Sequence, residues 1–184
     1  ASGGLGTVGT GRISILTTDG SVRAPRPLTV TAVSARNRQR DRGIDLSRFQ
    51  WFDDPVAMAS APGADVYVEL IGGEDGVAKA SVEAALASGK HVVTANKALI
   101  CRHGLSLARL AEENDVALRF EAAVAGGVPV VRGLRDGLAQ TQVRAVLGVL
   151  NGTCNFILSE MAETGAGFEE TLLEAQRLGF AEAD

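Results

Sequence analysis

The chain has only two cysteines, Cys101 and Cys154, far apart and in no metal-ligating spacing. That excludes a disulfide framework or a zinc module. The two are expected to be buried free thiols in a reducing compartment, the cytoplasm by default. Neither has a general base beside it in sequence, so no thiol catalysis is assigned. The two histidines are unassigned as ligands: His91 reads as a structural residue at a strand end, and His103 as an exposed one. No apolar run approaches the ~20 residues of a membrane helix. The chain opens on glycine-rich sequence rather than on a basic and then apolar leader, so no membrane or secretory association is expected. Basic residues are in deficit, 18 Lys+Arg against 22 Asp+Glu, and a net charge of −4 speaks against a bulk electrostatic grip on nucleic acid. There is no repeat and no low-complexity linker. What remains is ordinary globular composition, 46% hydrophobic and 22% charged over 184 residues, enough for one medium domain or one domain and part of another.

One stretch organises the rest, HVVTANKALI at residues 91–100. A β-branched run ends at Thr94, turns through Ala95 and Asn96, and sets Lys97 at the mouth of a helix. In an open α/β sheet the carboxyl ends of the strands face the ligand crevice. A lysine just past such an end can reach a cofactor or substrate, and Thr94 is expected beside the cofactor.

Upstream, Gly4-Leu5-Gly6-Thr7-Val8-Gly9 matches the dinucleotide fingerprint G-x-G-x-x-G. Its first glycine allows the tight turn, its second lets a pyrophosphate approach, and its third lets helix and strand pack closely. The backbone N–H groups at the helix start would face the phosphates. A glycine-rich loop without a ligand has the same pattern. The helix is predicted over residues 7–17, and LTVTAVS, residues 28–34, reads as the second strand. The loop after it carries no acid at the strand tip to bond a ribose hydroxyl, and it carries several arginines. A guanidinium fork suits a phosphate, so NADP is favoured over NAD, with Arg36 the leading residue; a solvated basic loop is the other reading. Residues 49–60 read as a short connecting helix with an aromatic cluster at Trp51, started by the capping run Asp53-Asp54-Pro55. ADVYVELI, residues 64–71, is a buried strand whose Gly72-Gly73 tip would let a cofactor lie close. Residues 76–88 form an Ala-rich helix closed by Gly89. After Lys97 the positions Leu99, Leu105, Leu107 and Leu110 suit a helix that Gly104 could interrupt, and residues 116–120 are the next strand.

Beyond Glu121 the pattern changes to a small, flexible segment and a helix through about Leu138, then a strand over residues 142–150. A polar turn from Asn151 to Asn155 leads into helices over 156–163 and 168–178, the latter with Gly179 as its C-cap. The fold class is α/β: a doubly wound parallel Rossmann-type sheet over residues 1–123, then the beginning of an α+β substrate domain over 124–184. Only Ala1-Ser2-Gly3 precede the fingerprint, and Glu182-Ala183-Asp184 follow directly on a helix. The chain therefore reads as a fragment without its first strand and without much of its second half.

Four places could carry chemistry. Lys97 could give a proton to an oxygen that gains charge during hydride addition, or anchor a phosphate or carboxylate. Glu121 with loop carbonyls could hold a hard cation, or serve as a cap or ion-pair partner. Asn151, Thr153 and Asn155 could bond a polar ligand or form an N-cap network. Glu182 is unremarkable by composition.

Taken together, GLGTVG at residues 4–9, VSARNR at 33–38, ELIGG at 69–73, VVTANKALI at 92–100, EAAVAGGVPV at 121–130, GVLNGTCNFIL at 148–158 and EAQRLGFAEAD at 174–184 resemble homoserine dehydrogenase, in family order across essentially the whole chain. The resemblance implies an NADPH- or NADH-linked oxidoreductase that interconverts L-aspartate 4-semialdehyde and L-homoserine on the route to threonine, methionine and isoleucine. It implies that Gly4, Leu5, Gly6, Thr7, Val8 and Gly9 bind the dinucleotide and that Lys97 lies between nicotinamide and substrate as a proton-transfer residue. It implies a sodium or potassium ion held by Glu121 and by the carbonyls of Val124, Gly126 and Val128. Gly179 matches a cofactor- or cation-side position, and Glu182 a substrate-binding one that would take the ammonium of homoserine. Family members continue into an acidic loop with a substrate-binding aspartate and a second catalytic lysine, and into the part that makes most of the contacts of a homo-oligomer. An active, oligomeric parent and a nearly inactive fragment are therefore expected. A dehydrogenase for a sugar or hydroxy acid, or a nucleotide-binding module without catalysis, are the alternatives.

Overall fold

The computed structural model describes residues 1–17, 28–126, 128–149 and 151–181. They fall into two compact units, Ala1–Gly137 and Leu138–Asp184.

In the first unit, strands β1 (Ser2–Gly3), β2 (Ala32–Ser34), β3 (Gln50–Phe52), β4 (Val66–Glu69), β5 (His91–Thr94) and β6 (Leu118–Arg119) form one parallel sheet in the order β3-β2-β1-β4-β5-β6. Helices α1 (Thr7–Thr17), α2 (Pro55–Ser60), α3 (Val77–Ala87) and α4 (Lys97–Glu113) stand in the crossovers between these strands, except that from β2 to β3, where residues 35–49 make the parallel crossover without a helix. This is the doubly wound α/β architecture expected from the alternation. The strand order reverses between β1 and β4, the place where ligands bind in such sheets.

A sheet covered on both faces makes its strands read as continuous apolar runs. Ala32, Val33 and Ser34 are all buried, and the pleat sends successive residues to opposite sides. Ala32 joins Met58, Tyr67, Val82, Leu86, Val92, Leu99 and Leu107 in one core. Val33 joins Leu5, Ile13 and Phe49 in another. Within α3, Ala78, Val82, Ala85 and Leu86 are buried, and the small side chains let the helix sit close beneath α2 and α4.

Several expectations are corrected by the structure. Ser2–Gly3 occupy the centre of the sheet, Ser2 opposite Val33 on one side and Val68 on the other, where no first strand was expected. The second strand is confined to Ala32–Ser34, since its ladder partners are themselves only Ser2–Gly3 and Gln50–Phe52. In residues 49–60 the connecting helix starts at the expected Asp53-Asp54-Pro55 run, but the aromatic stretch ahead of it, Gln50–Phe52, is that edge strand. The helix starts only after Asp54, whose Oδ1 accepts from Val56 N at 2.8 Å. Gly104 does not interrupt α4; burial of Leu99, Leu107 and Ala111 outweighs the ~1 kcal/mol that a mid-helix glycine costs. Leu105 points away from the core, 69% exposed. Both cysteines are exposed rather than buried: Cys101 lies off the face of α4 that carries Leu99, and Cys154 lies in the first turn of a helix. His103 is only half-buried, its ring Nε2 2.8 Å from Asp75 Oδ1. The helix expected after Pro129 up to about Leu138 is formed as one short turn, α6 (Val130–Arg132), running into a π-helical turn, Gly133–Gly137, and the flexible segment before it opens with a further helical turn, α5 (Glu121–Val124), that ends ahead of Gly126, at φ +59°.

In the second unit, α7 (Gly152–Thr164) and α8 (Phe168–Arg177) pack through Ile157, Thr171 and Ala175. The Asn151 side chain caps α7 by accepting from Cys154 N at 2.8 Å. At the end of α8, Phe180 N donates to Ala175 O at 2.8 Å and Gly179 N to Gln176 O at 3.1 Å. That is a Schellman closure, with Gly179 at φ +79° one residue past the cap Leu178. The strand expected over residues 142–150 is not formed among the described residues 142–149. Val146 and Leu147 are 55% and 93% exposed, and no described strand pairs with the segment.

Candidate dinucleotide and active site

A cleft of about 580 Å³ opens at the carboxyl ends of β1, β2 and β4, walled by the Gly4–Gly6 turn, by Ser34, Arg36 and Arg40 on one side and by Leu70 and Ile71 on the other. The three fingerprint glycines stand in different surroundings. A Cβ on Gly4 (φ +90°) would lie 2.3 Å from Leu70 O, and one on Gly9 would lie 2.2 Å from Gly4 O. Both are demanded by packing of the turn against its neighbours. A Cβ on Gly6 would meet nothing within 4 Å. Among the described residues nothing requires its lack of a side chain, as expected of a position that faces a pyrophosphate. Helix α1 begins just beyond, with no acidic residue in its own first turn to answer its positive end. Beneath the turn, a Cβ on Gly3 would lie 2.3 Å from Tyr67 Oη. Burial pushes the Tyr67 hydroxyl up to about 12, leaving it neutral at physiological pH.

The arginines of the loop after β2 divide by role. Arg42 is a strap: its Nε donates to Leu5 O at 3.2 Å, Nη1 to Arg40 O at 2.8 Å and Nη2 to Asn37 O at 2.8 Å. It ties the loop to the glycine turn. Arg38 and Arg42 stack over Trp51, at 5.8 and 6.0 Å from the ring centroid. Arg36, Arg40 and Arg42 all line the cleft, Arg42 with its guanidinium already given to the three carbonyls. So does Asp53, at the end of β3, with its Oδ1 accepting from Trp51 Nε1 at 2.8 Å.

Lys97 is the first residue of α4 and is exposed, not buried, making no ion pair among the described residues. Asn96 caps the helix, its Oδ1 accepting from Leu99 N at 3.1 Å. Thr94 is fully buried, and its hydroxyl donates to Glu69 Oε2 at 2.5 Å instead of facing the cleft. Glu69, Asn96 and Arg40 do not stand out as site residues by motif. The one signal is an acid in the apolar strand VYVEL, immediately before Ile71-Gly72-Gly73, since a glutamate is almost never fully buried unless it is paired.

Glu121, Val124, Gly126 and Val128 lie within one short bend of the first unit. Val124 and Val128 are exposed, Ala125 N donates to Glu121 O at 3.0 Å, and Val130 N to Val128 O at 2.9 Å. One carboxylate with backbone carbonyls is an all-oxygen donor set suited to a hard cation of low charge. No cluster of three or more His, Cys, Asp or Glu suited to a metal occurs among the described residues. In the second unit, Asn151 is engaged as a cap and the Thr153 hydroxyl donates to Phe180 O. Glu182 lies outside the described residues. No described helix is long and apolar enough to cross a membrane.

A parallel sheet of this order, with a glycine turn and a helix N-terminus at its switch point, defines a dinucleotide-binding domain of the doubly wound class. The profile of the homoserine dehydrogenase NAD-binding domain matches residues 4–121, and that of homoserine dehydrogenase proper matches residues 129–184. The homoserine dehydrogenase of Neisseria gonorrhoeae is 44% identical over 184 residues, covering 98% of this chain and 42% of that protein. That of Pseudomonas aeruginosa is 46% identical over 186 residues, with the same two shares. The crystal structure of a homoserine dehydrogenase from Thiobacillus denitrificans matches with a TM-score of 0.82 and 42% identity, over 100% of this chain and 43% of that one. The chain belongs to the homoserine dehydrogenase family, and it spans about 42% of the length of these curated relatives.

Proposed function

We propose that this chain supplies the nucleotide site and the first part of the catalytic site of an NADP-linked homoserine dehydrogenase. The observation that carries the reading is the cleft itself: the open face of Gly6, the start of α1 and three arginines converge on it in a chain of that family. Gly4 to Gly9 hold the pyrophosphate through backbone N–H groups. Arg36, with Arg40 beside it, takes the additional phosphate of NADP. When bound, the nicotinamide exchanges a hydride with the carbon that is an aldehyde in L-aspartate 4-semialdehyde and an alcohol in L-homoserine.

Lys97 stands at the substrate oxygen and gives or takes its proton; its exposure leaves it accessible for that role. The end of β5, at Thr94, forms the floor on the nicotinamide side. Glu121 with the carbonyls of Val124, Gly126 and Val128 would hold sodium or potassium, which would stiffen the bend that follows the sheet. By the resemblance to the family, Gly179 would serve the cofactor or the cation, and Glu182 would take the ammonium of homoserine. The working enzyme is a cytoplasmic homo-oligomer, and the first unit extends functionally to about residue 123. The test is a substrate panel with a full-length protein containing this chain. Reduction of NADP with homoserine supports the reading. Turnover only with a sugar or hydroxy acid, or NADPH binding without turnover of any substrate, overturns it.

A further inference from the structure

Glu69 is completely buried at the carboxyl end of β4, in register with Thr94 of β5. A buried carboxylate persists only when its oxygens are well hydrogen-bonded. Here Oε1 accepts from Ile71 N at 2.6 Å and Gly72 N at 3.1 Å, and Oε2 accepts from the Thr94 hydroxyl. The Thr94 oxygen in turn accepts from Asn96 N at 3.0 Å. Asn96 caps α4 through Leu99 N and closes the circuit by donating from Nδ2 to Gly73 O at 2.6 Å. One ring of hydrogen bonds therefore joins two structures that have no covalent link nearby. The first is the Leu70–Ile71 wall of the nucleotide cleft, after which Gly72 and Gly73, at φ +84° and +85°, turn the chain. The second is the turn that delivers Lys97.

We propose that Glu69 is a positioning residue: through Thr94 and Asn96 it sets the start of α4, and with it Lys97, relative to the cleft wall that receives the dinucleotide. It touches neither cofactor nor substrate. The assignment of Lys97 rests on the function proposed above; the brace on the cleft wall does not. The geometry favours this over inert packing because an apolar side chain would fill the volume equally well, whereas only a two-oxygen acceptor serves two backbone N–H groups and a hydroxyl at once. The chain leaves Lys97 with no ion pair among the described residues, so its reach is fixed by where α4 begins.

Glu69→Gln keeps the shape but turns an NH2 group toward Thr94, which must then accept from both that group and Asn96 N and leaves its own proton without an acceptor. Thr94→Val removes the same link from the other side, and Thr94→Ser retains it. In a full-length protein containing this chain, Glu69→Gln and Thr94→Val are each expected to lower kcat with homoserine by about tenfold or more, as displacement by a fraction of an ångström does. The KM for homoserine is expected to change little, and the NADPH Kd, read from nicotinamide fluorescence, to rise severalfold. Thr94→Ser restores both. The double variant Glu69→Gln/Thr94→Val is no worse than the poorer single one, since both cut the same link. Thermal midpoints report folding, and if Glu69→Gln unfolds, the Val and Ser pair at position 94 carries the test. The proposal is overturned if the folded variants keep kcat and NADPH Kd within twofold of the parent, or if the losses of the double variant multiply. If the unvaried protein fails to turn over homoserine, the functional reading fails instead, and the NADPH Kd series still decides whether the brace exists.

Discussion

Gly6 and Gly9 separate what the glycine turn does for the fold from what it does for a ligand. A methyl group on Gly9 would sit 2.2 Å from Gly4 O and 3.1 Å from Gly4 C. Both are backbone atoms that cannot swing away. Overpacking of this kind costs about 1–3 kcal/mol, and for a chain of this size each kcal/mol moves Tm by roughly 2–4 °C, so Gly9→Ala should melt several degrees lower. A methyl group on Gly6 meets no protein atom within 4 Å, at a residue whose φ is not in the left-handed region. Gly6→Ala should leave stability within about 1 kcal/mol of the parent and could raise it by restricting the unfolded chain. The methyl group would, however, occupy the space through which backbone N–H groups reach a pyrophosphate. Loss of one such charged hydrogen bond is worth about 1.5–3 kcal/mol, or roughly a 10- to 100-fold rise in Kd. Denaturant unfolding and NADPH fluorescence titration on the same preparations measure both quantities. A Gly6→Ala protein that binds NADPH as tightly as the parent would refute the placement of the pyrophosphate. So would a Gly6→Ala protein as unstable as Gly9→Ala.

Lys97→Ala, in a full-length protein containing the chain, should lower kcat by about 10²–10⁴-fold and leave Tm unchanged, because the side chain is exposed and makes no ion pair among the described residues. Steady-state rates alongside a melting curve check both halves. Arg36→Ala should raise the KM for NADP by about tenfold or more, the value of one charged hydrogen bond, and hardly move that for NAD; equal effects on the two cofactors would return Arg36 to a solvated loop. Leu86→Ala, at a fully buried position of α3, should cost about 2–5 kcal/mol in urea unfolding through the cavity it leaves.

The alternation of strand and helix is legible because a strand covered on both faces, such as VYVE, is largely apolar, because HVVT alternates buried Val92 and Thr94 with exposed His91 and Val93, and because the helix starts carry their caps at Asp54, Asn96 and Asn151. What is not legible depends on partners distant in sequence. Gln50–Phe52 is a strand only because β2 offers it an edge. The alternating residues 142–149 have the composition of a strand and no described partner. The fingerprint, Arg36 and Lys97 could be placed from local spacing. The division of labour among the arginines could not, since Arg42 is claimed by the carbonyl of Leu5, 37 residues away. Glu69 is hidden for the same reason: its meaning lies in a hydroxyl 25 residues further on. The place of Thr94 at a strand end is legible too, whereas the donation of its hydroxyl to that carboxylate is not.

The most direct measurement is hydride transfer in a full-length protein containing this chain, with NADP and L-homoserine deuterated on its hydroxyl-bearing carbon. The expected result is reduced cofactor carrying deuterium at nicotinamide C4, formed more slowly than with unlabelled homoserine and about 10²–10⁴-fold more slowly with Lys97→Ala. Reduced cofactor without deuterium, or no reduction with homoserine at all, would contradict the assignment.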